Sequence, residues 1–451
     1  MRRKRRTLKK FLKRMQKKLI IMFLFITGIL TALIGRLMYI EYTSGGRYEK
    51  IVLAQQVYDS RSIPYQRGDI VDSKGTVLAT SVDVYNVIFD CKVLKQQKNK
   101  VIKATIAAIV SCFPEIKEEQ LQREMDENPK GQYVVLLKKL PYETIQPYVE
   151  MTEDTKKYPN ICKDALWFEK EYVRSYPYHS LAASLIGFVS GGNVGTLGLE
   201  KYYDSTLNGL NGREYGYLNA DNNFEKTVKP ARDGSTIVST IDMHIQRVVE
   251  EKLEKFNQEH TNGYITGDGY QNAAAIVMNP QTGEIYAMAD SPGFDLNQPR
   301  EIEDYFTPEE LEGLSDKEKM NLLNRLWENF CVTSVFEPGS TVKPLTVACG
   351  MEKDLLSGNE TYLCDGKETF AGDVDVHCVS RAGHGMETVE KSLMDSCNDA
   401  LMQMSYVIGK DNFSAYQEIF GFGRKTGIDL PGEEAGLLYT PERMSALDLA
   451  T

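Results

Sequence analysis

Leu19 to Ile40 is almost entirely apolar, broken only by Thr27, Thr31 and Arg36. No other feature restricts the fold as strongly. Twenty-two residues in a helix reach roughly 33 Å, enough to cross a hydrocarbon layer about 30 Å thick. Arg36 lies near the far end, where a long side chain snorkels to the interface at modest cost. The eighteen residues before the span carry eleven Lys or Arg and no acid. Such a flank favours the cytoplasmic side, so the expectation is an uncleaved signal anchor with everything after about Glu41 outside. A cleaved signal peptide fits less well: the apolar run is too long, and Tyr39-Ile40-Glu41-Tyr42 is a poor small-residue cleavage site.

At 451 residues the chain has room for two or three domains with full cores. The whole is formally −10, so setting aside the +11 tail leaves −21 on the remainder. That acidity argues against nucleic acid as a partner. The eight cysteines form no Cys-x-x-Cys pair. Cys364 and Cys378 flank a Gly-containing loop near His377 and His384. Zinc ligands usually come at tighter spacing, so no metal or cofactor is expected. A Cys364–Cys378 disulfide stays open, since their separation in space is unknown.

Arg67 to Ala79 reads as strand, tight turn, strand. Residues 95 to about 155 are charged, with helical periodicity at Val101–Phe113 and Glu115–Met125. From Trp167 the chain becomes Gly- and Tyr-rich, and its glycines suggest tight turns more than a phosphate loop. A helix is expected over Asp242–Phe256, then a Gly-rich loop, Gly263–Gly269, that includes Asp268. Two apolar strands, Ala273–Met278 and Glu284–Met288, flank Asn279-Pro280-Gln281-Thr282-Gly283, the pattern of a hairpin. The polar, partly helical 297–324 stretch leads to helices expected at Thr341–Met351 and Val389–Ile408, a pattern of a sheet covered by helices.

The chemistry concentrates at Ser340-Thr341-Val342-Lys343, the chain's one Ser-x-x-Lys. A serine hydroxyl needs a base within reach to become a nucleophile, and side chains three apart on a helix share a face. Pro338-Gly339 supplies turn chemistry ahead of the helix, and Pro344 is tolerable in a first turn. Ser396-Cys397-Asn398 follows by 56 residues, near the middle of an apolar helical stretch. Its hydroxyl and amide are candidates to hold the lysine and pass protons. Ser357-Gly358-Asn359 fits the same loose pattern but reads as a helix-ending turn.

The sequence resembles the class B penicillin-binding proteins, the D,D-transpeptidases of bacterial wall synthesis. Ser-x-x-Lys, a Ser-x-Asn-type box and Lys-Thr-Gly mark this superfamily. The resemblance runs through the basic anchor, Arg67–Ala79, Arg174–Pro177, Gly195–Glu200, Asp233-Gly234, Thr240-Ile241-Asp242 with Gln246, the 273–293 hairpin, Phe336–Pro344, and Gly383-His384-Gly385 to Asn398. It is similar to division- or sporulation-type members. It implies a multidomain α+β chain: a tail over 1–18, a membrane helix over 19–40, an elongated dimerisation-type domain over 41–260, and a serine β-lactamase-like transpeptidase domain over 261–451. It further implies that Ser340 attacks the penultimate D-alanine of a stem peptide and that Lys343 is the base. Ser396 and Asn398 would complete the proton network. Substrates and ligands would be peptidoglycan stem peptides and β-lactams, with membrane proteins of wall synthesis or division as partners. A lysine base would need its pKa brought from about 10.4 to about 7–8, roughly 4 kcal/mol of environment acting against the charge.

The resemblance also calls for a third box, Lys-Thr/Ser-Gly on a strand, to hold the terminal carboxylate and give one oxyanion-hole N–H. The chain's one Lys-Thr-Gly is Lys425-Thr426-Gly427. It is followed by Ile428 and matches a different family segment, a loop between the second and third boxes. The expectation is therefore a C-terminally incomplete transpeptidase that neither crosslinks nor holds penicillin stably. Two other readings stay open: a non-catalytic membrane-anchored scaffold, and a β-lactam sensor, which would need several spans.

Overall fold

The computed structural model describes residues 17–18, 20–39, 60–218, 224–263, 267 and 269–450. The basic tail lies outside them except for Lys17 and Lys18, as do the two ends of the apolar run, residues 41–59, and Asp268 with most of its loop. Packing divides the chain into two units, Met1–Pro64 with Asn211–Arg232, and Tyr65–Leu210 with Asp233–Thr451.

The first unit holds the apolar helix Ile20–Tyr39, with mean hydropathy 2.2 and none of it buried in protein. By length and composition it is a helix that could cross a membrane. Thr27 and Thr31 return their hydroxyls to the carbonyls of Phe23 and Thr27, so neither presents a bare donor to lipid. The unit also holds an antiparallel sheet in the order Ser60–Ile63, Gly212–Leu218, Phe224–Lys229.

The second unit is organised by one long strand, Val77–Phe89. It pairs antiparallel with Leu166–Ser175 along ten residues and, near its end, with Val134–Leu140. At its start it folds back on Ile70–Val71 through a turn in which the Asp72 carboxylate accepts from the N–H groups of Lys74 and Thr76. The expected strand–turn–strand is present. Both expected helices follow, at Asn99–Cys112 and Glu118–Glu127. They cover the sheet around a core of Phe89, Leu94, Ile109, Phe113, Leu121 and Tyr148.

The segments 67–79, 174–177, 195–200 and 233–246 meet in one place. Arg67 has no exposed side-chain surface; its Nε donates to Glu200 at 2.7 Å and its Nη1 to Asp204 at 2.9 Å. Arg174 donates from Nε to the other Glu200 oxygen at 2.6 Å. A buried charge is tolerable only when paired and hydrogen-bonded in this way. Gly234 is needed here because a Cβ would run into the backbone oxygen of Leu207.

Asp242 caps the helix Met243–His260, accepting from His244 N and Ile245 N. Gln246 in its first turn grips Met288 from both sides, donating to its O at 2.9 Å and accepting from its N at 2.8 Å. This fixes the helix on the hairpin Ala273–Met278/Ile285–Ser291. The 297–333 stretch supplies short helices with reciprocal caps at Thr307/Glu310 and Ser315/Glu318. Phe188, Phe294 and Trp327 pack edge to face beneath it. A separate cluster of Val347, Cys349, Leu356, Leu401, Met404 and Ile408 underlies the Ser340 region.

Candidate active site

Ser340 does not lie in the α-helix proper. Residues Gly339–Val342 form a 3-10 turn, and the helix Lys343–Glu352 starts with the lysine. A 3-10 turn eclipses positions three apart, so Ser340 and Lys343 still share a side. Gly339 sits at φ +62, where a side chain would be strained. Ser340 is exposed and Lys343 half-buried.

The second box corrects the sequence expectation. In place of one helix over Val389–Ile408 there are two, Val389–Met394 and Asn398–Ile408. Ser396 stands at the break with φ 49, and Cys397 is the N-cap of the second helix, its sulfur accepting from Ala400 N. The run Asp395-Ser396-Cys397-Asn398-Asp399 is rich in residues that bond their own backbone and so interrupt helices. That signal was available and outweighs the apolar periodicity on either side.

The break aims the box at the lysine. Lys343 Nζ donates to Asn398 Oδ1 at 2.6 Å, to the Ser396 carbonyl at 2.7 Å and to Ser396 Oγ at 3.0 Å. Ser396 Oγ in turn donates to Ser340 Oγ at 3.0 Å. Asn398 is held from behind by its Nδ2, which donates to the His377 carbonyl at 3.1 Å. All four expected residues therefore meet. Among the described residues no hydrogen bond joins Ser340 directly to Lys343; the link runs through Ser396. Burial pulls the Lys343 amine below the ordinary lysine range, while the sulfurs of Cys378 and Cys397 act weakly the other way. The lysine also opens a helix, where the dipole opposes a positive charge. Its three acceptors are neutral. Such an amine is poised to give up its proton and take one from a hydroxyl.

Lys425-Thr426-Gly427 is not on a strand. It lies in an irregular segment fastened by Glu433, which accepts from Thr426 N and Oγ1 at 2.6 Å and from Gly427 N at 3.1 Å. The neighbouring Ile428 and Leu430 pack into the core around Trp327, not the cluster beneath Ser340. Ser357-Gly358-Asn359 is likewise a plain turn, with Ser357 bonded to Glu360. The expected disulfide question is answered by free thiols at Cys364 and Cys378. Both lie with His384 and Cys397 in one cluster, an arrangement that wide sequence spacing had argued against.

Comparison with known proteins agrees with the fold and the order of its parts. Residues 62–239 match the penicillin-binding protein dimerisation domain and residues 273–450 the penicillin-binding protein transpeptidase domain. Stage V sporulation protein D of Bacillus subtilis is 28% identical over 97% of this chain and 62% of its own length. The peptidoglycan D,D-transpeptidase FtsI of Escherichia coli is 26% identical over 87% of this chain and 61% of its own. The chain thus spans about three fifths of these relatives. Penicillin-binding protein 2X of Streptococcus thermophilus superposes with a TM-score of 0.66 at 21% identity, covering 87% of this chain and 56% of that one. Penicillin-binding protein PBP2 of Helicobacter pylori, solved in complex with MreC, gives 0.62 at 21% identity over 87% of this chain and 72% of that one. With an apolar N-terminal helix followed by these two domains in order, the chain belongs to the class B penicillin-binding proteins.

Proposed function

We propose that Ser340 is the nucleophile of a peptidoglycan D,D-transpeptidase and that Lys343 is its base. The observation that carries this reading is the Ser340–Ser396–Lys343 chain of hydrogen bonds, ending on a half-buried amine with only neutral acceptors. The Ser340 hydroxyl adds to the carbonyl of the penultimate D-alanine, and its proton passes through Ser396 to Lys343. The same proton returns to the departing amine as the terminal D-alanine leaves. An amine of a second stem peptide then attacks the ester and gives its proton to Lys343, which returns it through Ser396 to the departing Ser340 oxygen, leaving a crosslink and a free Ser340. β-Lactams enter the same path as mimics of the stem-peptide end. The apolar helix is read as a single-pass anchor, its basic flank cytoplasmic and both domains outside. By analogy with the MreC complex of the Helicobacter relative, other membrane proteins of wall synthesis are the partners.

A second reading, a membrane-anchored scaffold, draws on the Lys425-Thr426-Gly427 loop, whose Thr426 and Gly427 N–H groups are spent on Glu433 and not offered to a substrate carboxylate. Two probes separate the readings. A serine-directed fluorophosphonate is expected to mark Ser340 in the full chain and not in Ser340→Ala. Equal marking of Lys343→Ala would sink the base assignment. Labelled penicillin adds the demand for substrate recognition. A covalent band mapped to Ser340 supports the transpeptidase. A folded chain that the phosphonate marks and penicillin leaves alone supports the scaffold.

A further inference from the structure

Cys364, Cys378, His384 and Cys397 bring four ligand atoms within 4.8 Å of one another. They come from four separate element ends. Cys364 closes the strand Thr361–Cys364, and Cys378 follows the strand Val374–His377. His384 precedes the strand Gly385–Thr388, and Cys397 caps the helix Asn398–Ile408. The three cysteines are buried and the histidine half-buried.

Three of the six pairwise spacings are those of a coordination shell. His384 Nδ1 is 3.5 Å from Cys378 Sγ and 3.6 Å from Cys364 Sγ, and the Cys378 and Cys397 sulfurs are 3.8 Å apart. Tetrahedral zinc, with Zn–S about 2.3 Å and Zn–N about 2.0–2.1 Å, requires S···N separations of about 3.5 Å and S···S of about 3.8 Å. Mutual hydrogen bonding is a poor alternative account. One imidazole nitrogen can accept from only one of the two sulfurs that face it, and thiols are weak donors. Outer contacts also suit a metal. The Cys397 sulfur accepts from the backbone N–H of Ala400 at 3.4 Å, a second partner of the kind that ligands commonly have.

We infer that Cys364, Cys378, His384 and Cys397 form a structural zinc site that pins the Ser396–Asn398 box to the three strand ends beside it. Three thiolates and an imidazole select a soft or borderline cation and leave no open position for catalysis. Cys397 lies between Ser396 and Asn398, so the metal would fix the turn that points both side chains at Lys343. That positioning role rests on the reading of the Ser340 site, but the metal site itself does not.

The test uses the full chain in detergent, purified with a non-chelating reductant, given zinc sulfate and then dialysed. About one zinc per chain is expected by elemental analysis, as for other closed thiolate sites. Cobalt in place of zinc should give thiolate-to-metal charge-transfer bands and the intense visible bands of a tetrahedral ion. Cys364→Ser should lose the tight zinc, whereas Cys349→Ser, a buried thiol of the same core outside the cluster, should keep it. The cobalt spectrum of the unaltered chain needs no variant, so a folding failure of Cys364→Ser does not spare the idea. Zinc well below one per chain, an octahedral cobalt spectrum, or a chain isolated with a Cys378–Cys397 disulfide and no metal would each overturn it. None of these readouts depends on acyl transfer, so failure here and failure of the Ser340 reading are distinct.

Discussion

Arg67 and Lys343 are both cations withdrawn from water, and their surroundings are opposite. Arg67 is fully enclosed and meets two carboxylates, Glu200 at 2.7 Å and Asp204 at 2.9 Å, with the carbonyls of Asn193 and Glu200 and the Asn208 amide as further acceptors. Lys343 is half-buried and meets a carbonyl, a hydroxyl and an amide oxygen. The first arrangement secures a charge as part of the frame. The second satisfies the hydrogen bonds of an ammonium group without offering it a counter-ion, so the charge itself is disfavoured. Burial alone does not make a base. A guanidinium keeps its proton in any surroundings and so suits a frame, whereas an amine that is buried among neutral acceptors is ready to lose its own.

The largest effect that would sharpen this contrast is kinetic. Lys343→Met should slow fluorophosphonate marking of Ser340 by about 10²–10⁴-fold, the usual worth of a positioned general base. It should change unfolding stability by no more than about 1 kcal/mol, since it removes a disfavoured charge along with its hydrogen bonds. Glu200→Gln should do the reverse. It leaves Arg67 and Arg174 without their shared carboxylate in a site with no exposed side-chain surface. Breaking such a pair costs about 3–5 kcal/mol, readable as a lower urea midpoint with marking at Ser340 preserved under folding conditions. If the two variants behaved alike, the distinction between frame and base would fail.

Ser396→Ala should come next. Losing the hydroxyl that joins Ser340 to the lysine should slow marking by about 10–100-fold, the scale of a hydrogen bond to a charged group. Asn398 and the Ser396 carbonyl would still hold Nζ. No change would mean that the proton takes a direct path from Ser340 to Lys343.

The frame was more legible in sequence than the site. The 273–291 hairpin shows in two apolar runs around a Pro- and Gly-containing turn, and the 243–260 helix in the Asp242 cap and its period. The strand Leu166–Ser175 was missed. Nearly all its residues are half-exposed, so no alternation marks it, and its partner begins at Val77. Arg67, Arg174 and Glu200 were noticed as family signatures, but sequence separations of 26 to 133 residues hide their shared carboxylate. In the site, Ser340, Lys343, Ser396 and Asn398 were legible as types at a spacing. The relay through Ser396 was not, because it depends on a helix break with Ser396 at positive φ. The four-ligand cluster was hidden for the same reason: it is made by three strand ends meeting a helix cap.

The smallest effect tests the lysine's charge directly. Burial lowers the Lys343 pKa in the folded chain, whereas in the unfolded chain it returns to about 10.4. Between those two values the unfolded state binds the extra proton, so stability rises with pH across that window, and the cost of burying the charge is fully present below it. Lys343→Met lacks the titrating group. The stability difference, wild type minus Lys343→Met, should therefore climb as pH rises from the folded pKa towards that of a free lysine. Marking of Ser340 should climb over the lower edge of the same window, because only the neutral amine accepts a proton. A stability difference that stayed level with pH would mean that Lys343 keeps an ordinary lysine pKa, and its hydrogen bonds would then be those of a structural cation like Arg67.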